Sequence, residues 1–491
     1  MSSPALVMLA LFLPLAGAAA VVILGRWPNA RESASILVGV LLFGTVCLLV
    51  PHVASGVRPT LPLTELFPRI SITFRVEPLG LLFALVASGL WIVTTVYSLG
   101  YMRGHHEVNQ TRFYAWFAVA IFAAMGAAMA ANLLTLFLFY ELMTLSTYPL
   151  VTHHGTDAAK RAGRTYLGIL LSTSICFFLL GMAWTWKLAG TLDFQPGGIL
   201  NGKAEPALLG VLLALFAFGT GKAALMPFHR WLPAAMVAPT PVSALLHAVA
   251  VVKVGVFTVL KITIFIFGTE ALAQTGVSVW LMYVAGATIL LASLVALTRD
   301  NLKERLAYST ISQLSYIVLG AALANSWGVI GGGMHIVMHA FGKITLFFCA
   351  GAIYVAAHKT KVSELDGLGR SMPFTMAAFA VAAISVIGLP PLGGSWSKWF
   401  LALGAAEAHQ GALVAVLMIS SLLNIMYLMP IPIRAFFMES KQTPWDGNET
   451  NKLHEAPLPC VVALTFTAAG SVALFFFAGP IYALLKPIAG L

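Results

Sequence analysis

Charge is what this chain has least of. Of its 491 residues, 9% are Asp, Glu, Lys or Arg, where soluble domains carry about 25%. Hydrophobic residues make up 59% and the mean hydropathy is +0.90. No soluble fold can hide that much apolar surface, so soluble enzymes and binding modules are excluded. Cysteine is nearly as scarce. Cys47, Cys176, Cys349 and Cys460 stand alone in apolar runs with no CxxC spacing, so zinc and iron–sulfur ligation are excluded and all four read as small hydrophobes. The alternation of a membrane β-barrel is missing, because the apolar runs are continuous and too long. A basic leader is missing too. MSSPALVML has no positive n-region, so the first apolar run is expected to be a retained helix rather than a signal peptide.

What is present is a series of apolar runs long enough to span a bilayer, which takes about 20 residues. Fourteen are expected, near 4–25, 34–52, 78–101, 113–130, 132–151, 165–190, 207–228, 240–268, 276–298, 305–324, 328–356, 373–405, 411–436 and 458–485. The fold class is therefore an all-α polytopic membrane protein. Between the second and third runs, FPRISITFRVE alternates enough for a short strand or hairpin, with an irregular interfacial loop as the alternative.

The net charge of +10 does not indicate nucleic acid, because the basic residues are in the loops. Odd-numbered loops hold 17 of them; even-numbered loops and the tail hold 6. By the positive-inside rule both termini lie on the outer face. His105 and His106, in a polar inner loop, read as solvated.

The other five basic residues, Lys222, Lys253, Lys261, Lys343 and Lys398, fall inside apolar spans. Each costs roughly 2.5–3.5 kcal/mol on insertion scales, so the set costs about 12–17 kcal/mol. That is comparable to the stability of a whole protein, and structural convenience would not sustain it. Lys222 lies in a seventh span interrupted by Gly219, Gly221 and Pro227, with Pro233, Pro239 and Pro241 in the hinge beyond. Lys398 follows Gly388, Pro390, Pro391, Gly393 and Gly394 in the twelfth. Proline frees a carbonyl one turn back, and in lipid such groups need protein or water around them.

Broken helices in corresponding positions of two halves point to an inverted repeat and its site. The expected plan is residues 1–111 as three helices with an external loop, 112–268 and 269–436 as two five-helix units, and 437–491 as a loop and last helix. The eighth span carries His247, Lys253 and Lys261. The last two are eight apart and share a face, and Lys261, nearer the end, is expected to snorkel. The fifth span holds Glu141 near mid-membrane, and acids there are functional by default. His335, His339 and Lys343 are spaced i, i+4, i+8 on the eleventh span. One strip of titratable groups suits a proton wire better than haem ligation, which would need matching partners.

The segments FYELMTLSTYPLV, GKAALMPFHRWLPAAMVAPTPVSALLHAVAVVKVG, LKERLAYSTISQLSYI, MHAFGKITLFF, VSELDGLGRSMP and GLPPLGGSWSKW resemble the proton-translocating antiporter-like subunits. These are shared by Mrp-type cation/proton antiporters, respiratory complex I and membrane-bound hydrogenases. The resemblance runs through nearly the whole chain, and HEAPLPCVVAL and FYELMTLSTYPLV are most similar to the D subunit of the Mrp type. It implies proton transfer through Glu141, Lys222, His247, Lys253, His335, His339, Lys343 and Lys398, with Glu141 and Lys222 as a buried ion pair. It also implies a Na⁺/H⁺ antiporter subunit in the cell (inner) membrane, working with other membrane subunits, protons and Na⁺. No cofactor or metal is expected. The alternatives are a proton-pumping subunit of a complex I-like NADH:quinone oxidoreductase or membrane-bound hydrogenase, catalytic only within that redox complex, and a stand-alone transporter of a small solute.

Overall fold

The computed structural model describes residues 2–67, 70–439 and 453–491, without the side chains at 67 and 247–249. Lys441 and Lys452, counted among the inner-loop charges, and Arg69, counted in an outer loop, lie outside the described residues.

The chain is a helical bundle with one hairpin. The helices are α1 (Ser3–Ile23), α2 (Pro28–Ala54), α3 (Pro78–Gly104), α4 (Gln110–Ala128), α5 (Leu133–Val151), α6 (Asp157–Ala189), α7 (Pro206–Gly219) and α8 (Thr240–Phe267). They continue as α9 (Val279–Thr298), α10 (Leu302–Ala322), α11 (Ser326–Ala357), α12 (Pro373–Ile387), α13 (Gly394–Glu407), α14 (Gly411–Phe437), α15 (Leu458–Phe476) and α16 (Ala478–Leu485). Among the described residues, 11 helices are long and apolar enough to cross a membrane. The remaining expected runs are also helical but depart from a single apolar rod. The seventh stops at Gly219, the twelfth divides into α12 and α13, and the tenth carries Lys303, Glu304 and Arg305 in its first turn.

Local chemistry sets the boundaries. Proline occupies the first turn of α1, α2, α3, α7, α12 and α15, where its missing N–H costs nothing. Asn132, Asn301 and Asn325 cap α5, α10 and α11 by accepting from the N–H groups of Thr135, Glu304 and Gly328 at 2.8, 3.1 and 2.8 Å. The alternating stretch forms an antiparallel hairpin, β1 (Thr60–Phe67) and β2 (Ile70–Arg75), registered from Thr60 opposite Arg75 to Phe67 opposite Ile70. It is docked, not free. Ala131 N–H donates to Thr73 O at 3.0 Å, and Asn132 Nδ2 to Ser71 O at 2.8 Å.

Burial separates the lipid-facing helices from the central ones. The most apolar window of α2 is 33% buried within the protein; those of α8 and α11 are 100% and 94% buried. These two carry Lys253, Lys261, His335, His339 and Lys343, so the titratable side chains sit in the helices least exposed to lipid.

Candidate functional site

The first break is built around Lys222. After Gly219 the chain leaves the α-helix, makes one tight turn over Gly221–Ala223, and meets Ala224 at φ 55°. The backbone groups released there are taken up by aromatic side chains. Tyr140 Oη accepts from Lys222 N–H at 3.1 Å, and Trp231 Nε1 donates to Gly221 O at 2.9 Å. The Lys222 ammonium lies 3.2 Å from the centroid of the Tyr140 ring and donates to Thr144 Oγ1 at 2.6 Å. The expected contact with Glu141 is not formed: no Glu141–Lys222 ion pair occurs within 4.0 Å, and both Glu141 oxygens are buried without a hydrogen-bond partner. The reason is geometric. Tyr140 and Thr144 lie four residues apart on one face of α5, and the tight turn holds Lys222 against them, while Glu141 projects about 100° further round the helix.

The second group is a file of contacts across the centre. Lys253 Nζ, on α8, lies 2.6 Å from His339 Nδ1 on α11. The His339 ring stacks on His335, centroids 5.4 Å apart, and His335 stacks on Tyr316 of α10 at the same distance. His335 Nδ1 meets Ser397 Oγ at 2.9 Å, one residue before Lys398. Lys398 Nζ lies 4.9 Å from the centroid of Tyr316 and donates to Ile387 O, at the end of α12, at 2.8 Å and to Ser421 Oγ at 3.2 Å. The second broken helix therefore uses its own lysine to satisfy a carbonyl that the break released. Each imidazole spends one nitrogen on a neighbour and keeps a buried, unpartnered Nε2, so each can take up a proton on one side while holding a contact on the other.

Two expected members stand apart from this file. Lys343 turns away from the histidines and donates to Leu306 O at 3.2 Å. The Lys222 backbone meets the Lys253 helix at Gly255, which leaves room for the Lys222–Ala223 peptide. The His247 side chain lies outside the described residues. Lys261 does not snorkel. It is fully buried and paired with Glu77, Nζ to Oε2 3.3 Å.

Sequence reasoning missed Tyr140, Thr144, Tyr316, Ser397 and Ser421, which carry no charge and so no signal in an apolar span. Glu77 was legible only as an acid beside a proline at a span end. At the other end of the bundle, His105 is half-buried and joins a cluster, which corrects its reading as solvated; His106 is exposed. His105 and His154 contact Glu107 Oε1 at 3.2 and 3.1 Å, and His154 Nδ1 reaches Val237 O in the hinge at 3.2 Å. Burial raises the Glu107 pKa, but the hydrogen bond and charge of His154, with His105 and His153, outweigh it and hold the carboxyl below its ordinary value. The same bond raises His154 against the opposing effect of burial. Among the described residues, no three His, Cys, Asp or Glu side chains converge in a way that could hold a metal ion.

Comparison with known proteins fits this geometry. The transmembrane family described as NADH:quinone oxidoreductase/Mrp antiporter matches residues 130–424, and the N-terminal family of chain 5 of NADH-ubiquinone oxidoreductase (complex I) matches residues 67–114. The NADH-quinone oxidoreductase subunit N of Desulforudis audaxviator is 35% identical over 397 residues, covering 80% of this chain and 77% of that one. Subunit L of Mycobacterium tuberculosis is 29% identical over 86% of this chain and 66% of its own length. A probable K⁺/H⁺ antiporter component of Rhizobium meliloti is 32% identical over 74% of this chain and 36% of its own. The chain thus spans two thirds or less of those two longer relatives. Among solved structures, a chain of the Mrp complex from a Dietzia species superposes with TM-score 0.87 at 22% identity, covering 100% of this chain and 97% of that one. A chain of an archaeal membrane-bound sulfane sulfur reductase superposes at 0.86 and 24% identity, with the same coverage. The chain belongs to the NADH:quinone oxidoreductase/Mrp antiporter membrane family.

Proposed function

We propose that this chain is a proton-translocating subunit of a multisubunit membrane assembly, and that protons cross its centre through Lys253, His339, His335 and Lys398. The observation that carries the reading is the run of contacts from Lys253 Nζ to His339 Nδ1, on to His335, and through Ser397 and Tyr316 to Lys398. A solute site would need a cavity shaped for a ligand; a file of titratable groups in van der Waals contact suits a proton. Each transfer moves one proton from an ammonium or imidazolium to a neutral neighbour. Lys343 follows His339 by one turn of α11.

Glu141 acts on the loading end. Lys222 now rests on Thr144 and the Tyr140 ring, and the unpartnered Glu141 carboxylate is next to both on the same helix. When Lys222 swings to Glu141, the carboxylate favours its charged form; when it returns to Thr144, burial favours release. The two broken helices, each supplying one such lysine, support a repeat relating roughly 112–268 to 269–436. Reconstituted vesicles test the reading: Lys253→Ala and His339→Ala are expected to stop proton-coupled transport in assembled complex. Wild-type transport in both variants overturns it.

The finer assignment is to a Na⁺/H⁺ antiporter of the Mrp type in the cell membrane, with both termini outside and the basic loops inside. A redox-driven assembly is the second reading, and the 35% identity to an NADH-quinone oxidoreductase subunit N favours it. Everted vesicles separate the two. Collapse of a pH gradient on adding Na⁺ supports the first, and proton uptake that requires a quinone-linked electron donor supports the second.

A further inference from the structure

One buried cation has no place in the file just described. Lys261 lies on α8 eight residues beyond Lys253, about 12 Å along the helix, and its side chain is 0% exposed. Its ammonium donates to Ala130 O at 2.6 Å, lies 4.5 Å from the centroid of Phe194 and pairs with Glu77 Oε2 at 3.3 Å. The other Glu77 oxygen holds Arg75, Nη2 to Oε1 2.8 Å, and Arg75 reaches Phe194 O at 2.6 Å. The Arg75 side chain is 28% exposed. An unbroken ladder of charges therefore runs from the interior of the central helix to the surface at the hairpin end.

The stretch of α8 between Lys253 and Lys261, and α10 packed against it, also carry polar atoms with nothing to bond. Thr258 is buried and its Oγ1 has no partner, although Thr263 on the same helix, like most buried threonines of this bundle, bonds its own backbone. Gln313, on α10 packed against α8, is fully buried with neither side-chain polar atom partnered. Its depth follows from Ile317, one turn on, whose carbonyl lies at the same Gly332 surface as Leu260; Gln313 is thus level with the stretch between the two lysines. Unpaired buried polar groups are costly, and a short file of water would satisfy them.

We propose that Lys261 and Glu77 form a proton-transfer branch connecting Lys253 to the hairpin side of the membrane, with Thr258 and Gln313 lining its watered segment. A proton leaves the Lys253 ammonium, passes through water to the Lys261 amine, is given to the Glu77 carboxylate and departs to solvent beside Arg75. Arg75 holds the carboxylate in place and carries no proton itself, since a guanidinium stays charged. The branch rests on the proton-translocation reading, and the competing role for the same residues is a static clamp joining β2, α3 and α8.

Lys261→Arg separates the two roles, because arginine keeps the ion pair and cannot release its proton. In the intact assembly in proteoliposomes, Lys261→Arg is expected to cut proton-coupled transport at least tenfold with assembly and thermal unfolding as in wild type, and Glu77→Gln to cut it as far with a lower unfolding temperature, since it leaves Lys261 buried and unpaired. A Lys261→Gln/Glu77→Gln pair, which leaves no buried charge unpaired, is expected to assemble and to transport equally poorly. It decides the matter if the arginine does not fit. Transport within twofold of wild type in Lys261→Arg, or in the double variant, overturns the branch. Lys222→Ala is measured alongside: if it too transports normally, the underlying reading has failed rather than the branch alone.

Discussion

The two helix breaks share a device and differ in what surrounds the lysine. At 220–224 the lysine sits inside the break, and other helices satisfy the freed backbone through Tyr140 and Trp231. Its ammonium rests on a hydroxyl and a ring, with an unpartnered carboxylate on the same helix. At 388–393 the lysine follows the break and reaches back to Ile387 O. Its other partners are Ser421 and Tyr316, and no acid meets it among the described residues. A lysine with a carboxylate within a side-chain swing can be switched. One anchored to a carbonyl and a hydroxyl passes a proton without being switched. Under the proposed function, this difference puts loading and gating at the first break and relay at the second.

The largest expected effect removes either lysine. Lys222→Ala and Lys398→Ala should each lower proton-coupled transport about 100-fold or more, the scale on which a positioned acid–base group contributes. The comparison is sharpened by Glu141→Gln. That change removes a charge from the surroundings of Lys222 and none from those of Lys398, so it should act as a coupling loss of about 5–150-fold. Adding Glu141→Gln to Lys222→Ala should cost little more, whereas adding it to Lys398→Ala should compound. Full additivity in the first pair would break the assignment of Glu141 to Lys222.

How much of this could be read from the chain follows from which residues are rare. In a sequence with 9% charged residues, Glu141 and the five buried lysines stand out at once, and so do breaks marked by Gly388, Pro390 and Pro391. The all-α class and the order of the apolar runs were legible for the same reason, since lipid leaves few ways to satisfy a backbone. The partners were not. Thr144, Tyr316 and Ser397 belong to types common in any span, and only the packing of α5, α10 and α13 against the lysine-bearing segments gives them meaning. The geometry also changed readings beyond those of His105 and the Glu141–Lys222 pair. Lys261 has its partner Glu77 inside the bundle and not at the interface, and Lys343 bends to a backbone carbonyl and not along the histidine strip.

Both breaks depend on a glycine that lets backbones touch, and this is where they should behave alike. A Cβ on Gly255 would lie 2.3 Å from the Lys222 carbonyl carbon, and one on Gly394 would lie 1.9 Å from Ser385 O. Neither neighbour is a movable side-chain tip. Gly255→Ala and Gly394→Ala should each destabilise the assembly by about 1–3 kcal/mol, as overpacking does, measurable as a fall in thermal unfolding temperature in detergent. A Gly255 variant as stable as wild type would mean that the first break yields where the second does not.

The smallest expected effect concerns how the breaks are tethered. The connector after the first break is held at Val237 O by His154, itself bound to Glu107; the second break is held by a backbone bond, Gly393 N–H to Ser471 O at 3.0 Å. Only the first tether titrates. His154 is raised from its ordinary 6.5, so its contribution is complete below that value and fades as pH rises through the folded pKa. Glu107 is lowered from its ordinary 4.5, so its contribution is complete above that value and fades as pH falls through the folded pKa. The tether is therefore strongest between 4.5 and 6.5. Amide protection at 235–238, corrected for intrinsic exchange, should fall between about pH 6 and pH 8, where a histidine loses its charge, while protection at 388–393 should not. Glu107→Gln should flatten the first response without altering the second. A pH response that survives Glu107→Gln would assign the tether to His153 or to the backbone, and the two breaks would then differ in their lysines alone.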